Sequence, residues 1–218
     1  MSPQQKAAAG SAAAANQVFA DEYVVASPAA HAARALAVER GSDPVSPAAA
    51  GTLTLLAATI KARHVVEVGT GTGVSAVALL EGMTPDGVLT SIDNEAELQL
   101  VAREVLTEAG IPRPRARLIA GEPLVVLPKL TDGAYDLVFI DGDPLEYVEY
   151  VAQATRLLRP GGVLVLHHVL WQGQVADPGN SDDEPLIIRE ALEAVRQLED
   201  FTTVLLPVGD GLLVATQG

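Results

Sequence analysis

The run Val65-Val66-Glu67-Val68-Gly69-Thr70-Gly71-Thr72-Gly73-Val74-Ser75 decides how the rest of the chain is read. Its first four positions are apolar except for Glu67 and show no alternation, as in a strand buried on both faces. Three glycines at alternate positions then let the backbone turn sharply and let a ligand approach the main chain, while the following helix offers free N–H groups at its start. A nucleotide-like cofactor is the expected guest, although the same glycines would also serve a bare strand-to-helix connection. A dinucleotide fingerprint would place its third glycine at position 74, three after Gly71; Val74 stands there and Gly73 comes one place early. The spacing favours another cofactor. Glu67, at the strand end, is suited to bind an ammonium group or to order the turn. Asp93, closing the next apolar run in Ser91-Ile92-Asp93-Asn94, stands where an acidic side chain commonly holds ribose hydroxyls.

Outward from this turn, short continuous apolar runs recur at residues 88–92, 118–119, 137–140 and 163–166. Between them the apolar positions fall at helical intervals: Leu98, Val101, Ala102, Val105 and Ala109; Leu145, Val148, Ala152 and Leu158; Ile188, Ala191, Leu192, Val195 and Leu198. Leu53, Leu56, Ala57 and Ile60 mark one more such helix before the first strand. Strand and helix in alternation predict an α/β domain with a Rossmann-like, doubly wound, mostly parallel sheet and helices on both faces. The rhythm breaks at residues 203–206 and 212–215, which are joined by Pro207-Val208-Gly209-Asp210-Gly211. That link is too short for a crossover helix, so an antiparallel hairpin is expected there. Residues 173–184 read as an exposed loop. The chain divides into residues 1–43, an N-terminal arm with a helical extension, and the domain at 44–218.

The composition sets further bounds. Of 218 residues, 49% are apolar and 19% charged, enough for a substantial core and too few charges for a disordered chain. There is no cysteine, which excludes disulfides, thiolate metal sites and a cysteine nucleophile. Fourteen basic against 28 acidic residues give a formal charge of -14, so neither nucleic acid nor an anionic membrane surface is an expected partner. No stretch approaches the length of apolar sequence that a membrane span needs. The Ala-rich first twenty residues lack Leu and Ile, and suit a soluble, partly frayed arm better than a cleaved signal; the expected compartment is the cytoplasm.

Several motifs together resemble the S-adenosylmethionine-dependent O-methyltransferases of the catechol and caffeoyl-coenzyme A type. They are Val45-Ser46-Pro47, Glu67-Val68-Gly69-Thr70, Ser75, Asp93, Phe139-Ile140-Asp141-Gly142-Asp143, Tyr147, Leu157-Leu158-Arg159-Pro160-Gly161-Gly162 and Val169-Leu170-Trp171-Gln172-Gly173. The resemblance runs from about Pro44 to the end of the sequence. It implies a seven-stranded sheet with a reversed final strand, a homodimer and a small-molecule acceptor. It also implies cofactor contacts by Val45, Glu67, Gly69, Thr70, Gly71, Ser75, Asp93 and Asp143, with Gly121 and Glu122 bordering the adenine. Asp141 would face the acceptor.

The chain departs from that family where the chemistry lies. The family pairs the equivalent of Asp141 with an Asp-Asn dipeptide at the end of the fifth strand to hold a divalent metal; here the dipeptide is His167-His168. A Lys that accepts the substrate proton is replaced by Pro144. Mg²⁺ prefers oxygen, so two imidazoles should weaken it greatly, and no metal is expected. If an ion binds at all, Asp141, His167 and His168 are its candidate ligands, with Zn²⁺, Mn²⁺ or Fe²⁺ the ions they suit; adjacent strand residues, however, start out on opposite faces. An imidazole, with an ordinary pKa near 6.5, is equipped to take a phenolic proton, which makes His167 and His168 candidate general bases beside Asp141. Trp171 is a candidate wall of the acceptor pocket. The sequence therefore predicts methyl transfer to a hydroxyl of a small, phenolic acceptor, without Mg²⁺. A catalytically silent S-adenosylmethionine-binding protein and a nicotinamide-dependent oxidoreductase stand as alternatives.

Overall fold

In the computed structural model, which describes residues 3–218, helices α1 (Pro3–Tyr23), α2 (Pro28–Glu39) and α3 (Pro47–Thr59) precede the first strand. Then follow β1 (His64–Val68), α4 (Val74–Gly82), β2 (Val88–Asp93), α5 (Ala96–Glu108), β3 (Ala116–Ala120), the single turn α6 (Pro123–Val126) and β4 (Tyr135–Ile140). The chain closes with α7 (Tyr147–Leu157), β5 (Leu158–Leu166), α8 (Asp183–Arg196), β6 (Phe201–Leu206) and β7 (Leu212–Gln217). The seven strands form one sheet in the order β3-β2-β1-β4-β5-β7-β6. β1 to β5 run parallel to one another, and β7 runs antiparallel between β5 and β6. The doubly wound sheet with a reversed final strand is as the sequence predicts.

Alternating side chains divide between two apolar layers, as a strand buried on both faces requires. Val65, Leu89, Leu137, Phe139 and Val165 pack under α3 and α4, with Leu53, Val77 and Leu79. Val66, Val68, Val138, Ile140, Leu164 and Leu166 pack under α7 and α8, with Tyr147, Tyr150 and Ile188. Ala33 belongs to the first layer, so α2 is part of the same packing. Among the described residues, no helix is long and apolar enough to cross a membrane.

The register sets where ligands can meet the fold. Val68 lies beside Ile92 on one side and Ile140 on the other; Ile140 pairs with Leu166, and Leu166 with Leu213. The residues that follow these strand ends are thereby brought to one edge: Gly69, Asp93, Asp141, His167 and the β6–β7 turn. Strand order reverses between β1 and β4, and this carboxyl edge at the switch point is where an open α/β sheet offers a crevice.

Local differences from the sequence reading have simple causes. The first twenty residues, read as a partly frayed arm, are helical from Pro3 to Tyr23, in keeping with the high helix propensity of alanine. The Asp21 carboxylate accepts from the Ala48 backbone N–H at 2.8 Å in the first turn of α3, and so joins the two helices. The helix expected over residues 145–158 starts with a 3-10 turn at Pro144–Glu146, and Leu158 already belongs to β5. The loop after β5 ends at Asp182: Asp183 and Glu184 enter the first turn of α8, where the helix dipole favours acids.

Candidate active site

A cleft of about 800 Å³ opens at the carboxyl edge, a size suited to a small-molecule site. Of the residues singled out in the sequence, Val45, Gly69, Thr70, Gly71, Ser75, Asp93, Glu122, Asp141, Asp143, His168 and Trp171 line it. Glu67, Gly121 and His167 stand outside the lining.

At one end lies the glycine turn. Gly69 has φ +89, and a Cβ there would sit 2.1 Å from the carbonyl oxygen of Asp141, so β1 and β4 can approach only with glycine at this position. The backbone N–H groups of Thr70 and Gly71 donate to one oxygen of Asp93 at 2.8 and 2.9 Å, and that of Glu95 donates to the other at 2.8 Å. A carboxylate offers about four acceptor positions, and Asp93 fills three by holding the turn in shape.

Behind the turn runs a directed buried chain. The Gln99 amide donates to Thr70 Oγ1 at 3.0 Å, Thr70 and Ser91 hydroxyls meet at 2.5 Å, and Ser91 donates to Glu67 Oε2 at 2.5 Å. Burial pushes the Glu67 carboxyl up to about 8, against the hydroxyls of Ser75 and Ser91, and the charges of Asp141 and Asp93 push the same way. Glu67 is thus largely protonated at neutral pH. Its Oε1 is buried with no hydrogen-bond partner, a polar atom left open for a ligand group.

At the other end, Asp141 follows β4 and the two histidines follow β5. The His167 ring is buried, its Nδ1 2.8 Å from Asp141 Oδ1, and its Nε2 has no partner. The Tyr147 hydroxyl donates to the His167 carbonyl at 2.9 Å; burial holds this phenol well above its ordinary range and therefore as a donor. His168 was expected on the opposite face from His167, but it has φ +54, which ends the strand alternation. The two rings consequently lie on one side, their centroids 4.0 Å apart. His168 Nδ1 is 3.1 Å from Asp210 Oδ2, and its Nε2 is 3.7 Å from Asp141 Oδ1. Trp171 stands edge-on to His168, with centroids 6.1 Å apart.

The segment carrying these groups is strained: His168, Trp171 and Gln172 all have positive φ, at roughly 1–3 kcal/mol each. Asp210, which lines the cleft opposite, was not singled out in the sequence because Gly-Asp-Gly in a hairpin link reads only as turn chemistry.

The donor set does not fit a hard divalent cation. Asp141, His167 and His168 offer ligand atoms within 4.8 Å of one another, but only one is an oxygen, and that oxygen already holds the His167 ring. Mg²⁺ demands an oxygen-rich octahedron that these residues cannot supply.

Residues 33–217 match the family profile described as O-methyltransferase. The chain belongs to the O-methyltransferase family. It is 46% identical over 203 residues to a relative from Mycobacterium sp. (strain JLS) that bears the family's name, covering 93% of this chain and 90% of that one. A Mycobacterium tuberculosis relative (strain H37Rv), named "Probable O-methyltransferase", is 47% identical over 185 residues, 85% of this chain and 83% of the relative. Among solved structures, a Corynebacterium glutamicum protein is similar with TM-score 0.88 and 31% identity, over 95% of this chain and 97% of that chain. The O-methyltransferase TomG of Streptomyces achromogenes, involved in tomaymycin synthesis and crystallised with S-adenosylmethionine, gives TM-score 0.83 and 29% identity, over 93% and 96%. The family inferred from the motifs is the one found.

Proposed function

We propose that the glycine-turn end of the cleft binds S-adenosylmethionine, and that its methyl group passes to a hydroxyl oxygen of a small phenolic acceptor lying against His168, without a hard divalent ion. TomG, similar along nearly the whole chain, is crystallised with that cofactor. The residues present suit it: a backbone that only glycine permits at position 69, free N–H groups at the start of α4, and the unpartnered Glu67 Oε1. Once bound, the sulfonium supplies an electrophilic methyl carbon and leaves as a neutral thioether. What the chain contributes is alignment of the two reactants and a place for the proton. As the acceptor oxygen forms its new bond to carbon, His168 takes the hydroxyl proton on Nε2. One observation carries this choice of base: of the two imidazoles, only that of His168 borders the cleft, while His167 is buried against Asp141.

The test is calorimetry with S-adenosylhomocysteine, followed by mass-spectrometric detection of methyl transfer from S-adenosylmethionine to catechol, caffeate and simple phenols, in chelator and in Mg²⁺. Transfer should persist in chelator. His168→Gln should lower kcat about 100-fold or more, in line with loss of a general base, and leave S-adenosylhomocysteine affinity unchanged. Activity that appears only with Mg²⁺, or a fully active His168→Gln, would overturn the reading. Firm binding with no turnover by the native protein across these acceptors would favour a silent binding protein instead.

A further inference from the structure

The geometry points to Asp210 as the positioning residue for proton transfer: from the β6–β7 turn it fixes the tautomer and orientation of His168, so that Nε2 presents its lone pair to the cleft. The inference rests on the reading of His168 as the base. It starts from three hydrogen bonds that one residue makes to one strained segment. The Asp210 backbone carbonyl accepts from Leu170 N–H at 2.9 Å, its Oδ1 accepts from Gln172 N–H at 2.7 Å, and its Oδ2 lies 3.1 Å from His168 Nδ1. Three residues that carry positive φ in this segment, His168, Trp171 and Gln172, are therefore bracketed by a single turn residue 42 positions away from His168. The turn can come this close because Gly211 follows: a Cβ there would meet the Leu170 side chain at 2.5 Å.

The tautomer follows from what each neighbour can do. A carboxylate only accepts, so contact with Asp210 Oδ2 places the ring hydrogen on Nδ1 and leaves Nε2 bare. The competing arrangement would put the hydrogen on Nε2, facing Asp141 Oδ1. That oxygen is 3.7 Å away, beyond hydrogen-bond reach, and is already engaged by His167 at 2.8 Å. The groups facing the His168 ring are thus Asp210 from the hairpin, Asp141 from the end of β4, the adjacent His167 ring and the edge of Trp171. When Nε2 accepts a proton, the new positive charge lies between two carboxylates. A merely structural pin would need only the two backbone hydrogen bonds; the contact to Nδ1 is the one that bears on chemistry.

The experiment is long-range ¹H–¹⁵N correlation of the imidazole nitrogens in the full, uniformly labelled chain, with His168 assigned by its loss in His168→Gln. The native ring should show its neutral hydrogen on Nδ1. In Asp210→Ala a substantial fraction should move to Nε2; kcat with catechol, or with the fastest phenol of the series above, should fall about tenfold or more, with KM and S-adenosylhomocysteine affinity within about threefold. Asp210→Asn, which keeps an acceptor oxygen, serves if the alanine variant does not fold, and should lose less. In a His168→Gln background Asp210→Ala should cost nothing further, because the two act as one unit. A native ring with its hydrogen on Nε2, or effects that multiply in the double variant, would overturn the inference. A fully active His168→Gln would instead sink the assignment of the base, even with the hydrogen found on Nδ1, so the two failures read differently.

Discussion

The two ends of the cleft are shaped by hydrogen bonds of different reach. At the glycine turn, Asp93 holds Thr70 and Gly71 across one step between neighbouring parallel strands, and Gln99, Thr70, Ser91 and Glu67 form their chain within the β1–α4–β2–α5 unit. At the histidines, the decisive contacts join the end of β5 to a turn that the chain reaches only after α8 and β6. The first end is one supersecondary unit closing on itself. The second is a seam between two distant parts of the chain, held only because β7 lies against β5. The departures from the motifs that this sequence resembles, at Pro144, His167 and His168, spare the glycine turn.

The largest effect is expected where the two strand ends approach most closely. Gly69→Ala places a Cβ into the Asp141 carbonyl and forces a positive φ on alanine, so it should cost about 5 kcal/mol or more in urea unfolding and abolish S-adenosylhomocysteine binding. A variant that folds and binds normally would mean that the two strand ends can separate freely.

The next effect is one of pH. Glu67 keeps its proton in the folded chain up to about 8, while an unfolded carboxyl loses it near its ordinary value of 4.5. Between those values the native state binds more protons than the unfolded one, so stability should fall as pH rises from about 5 to 8 and level off above, by up to roughly 4 kcal/mol from this group. Glu67→Gln should flatten that slope in a series of urea midpoints. An unchanged slope would show that the buried carboxyl is already ionised.

The smallest effect concerns the extension. Asp21→Ala removes a carboxylate from the first turn of α3 and should cost about 1 kcal/mol by thermal unfolding, with kcat unaltered. A change in turnover would tie the N-terminal helices to the chemistry.

What was legible in the sequence follows the same division. The strand and the glycine turn were readable because their partners lie one strand away; Asp93 was read as a holder of ribose hydroxyls, and its hold on the backbone of the turn was not foreseen. Gln99 was readable in principle: with Ala102 and Leu106 it shares the buried stripe of α5, and a polar residue on such a stripe needs partners. Asp210 was not. Nothing local separates a turn aspartate from one aimed at an imidazole; only the pairing of Leu166 with Leu213 brings the hairpin turn to the histidines. The approach of His167 and His168 was hidden for another reason, since strand alternation predicts that they diverge and the left-handed backbone at His168 reverses that. That His167 is buried and His168 half-buried at the cleft follows from the fold and not from the local sequence.

The position of β7 between β5 and β6 also ties one end of the cleft to the last strand of the chain. As the chain leaves the ribosome, the strands and turn that would grip a methyl donor emerge more than a hundred residues ahead of the last strand to enter the sheet. The turn that braces the ring that would receive the proton lies directly before that strand. The brace on His168 therefore depends on the strand placed last in the chain, whereas the glycine turn is built from elements of its first half.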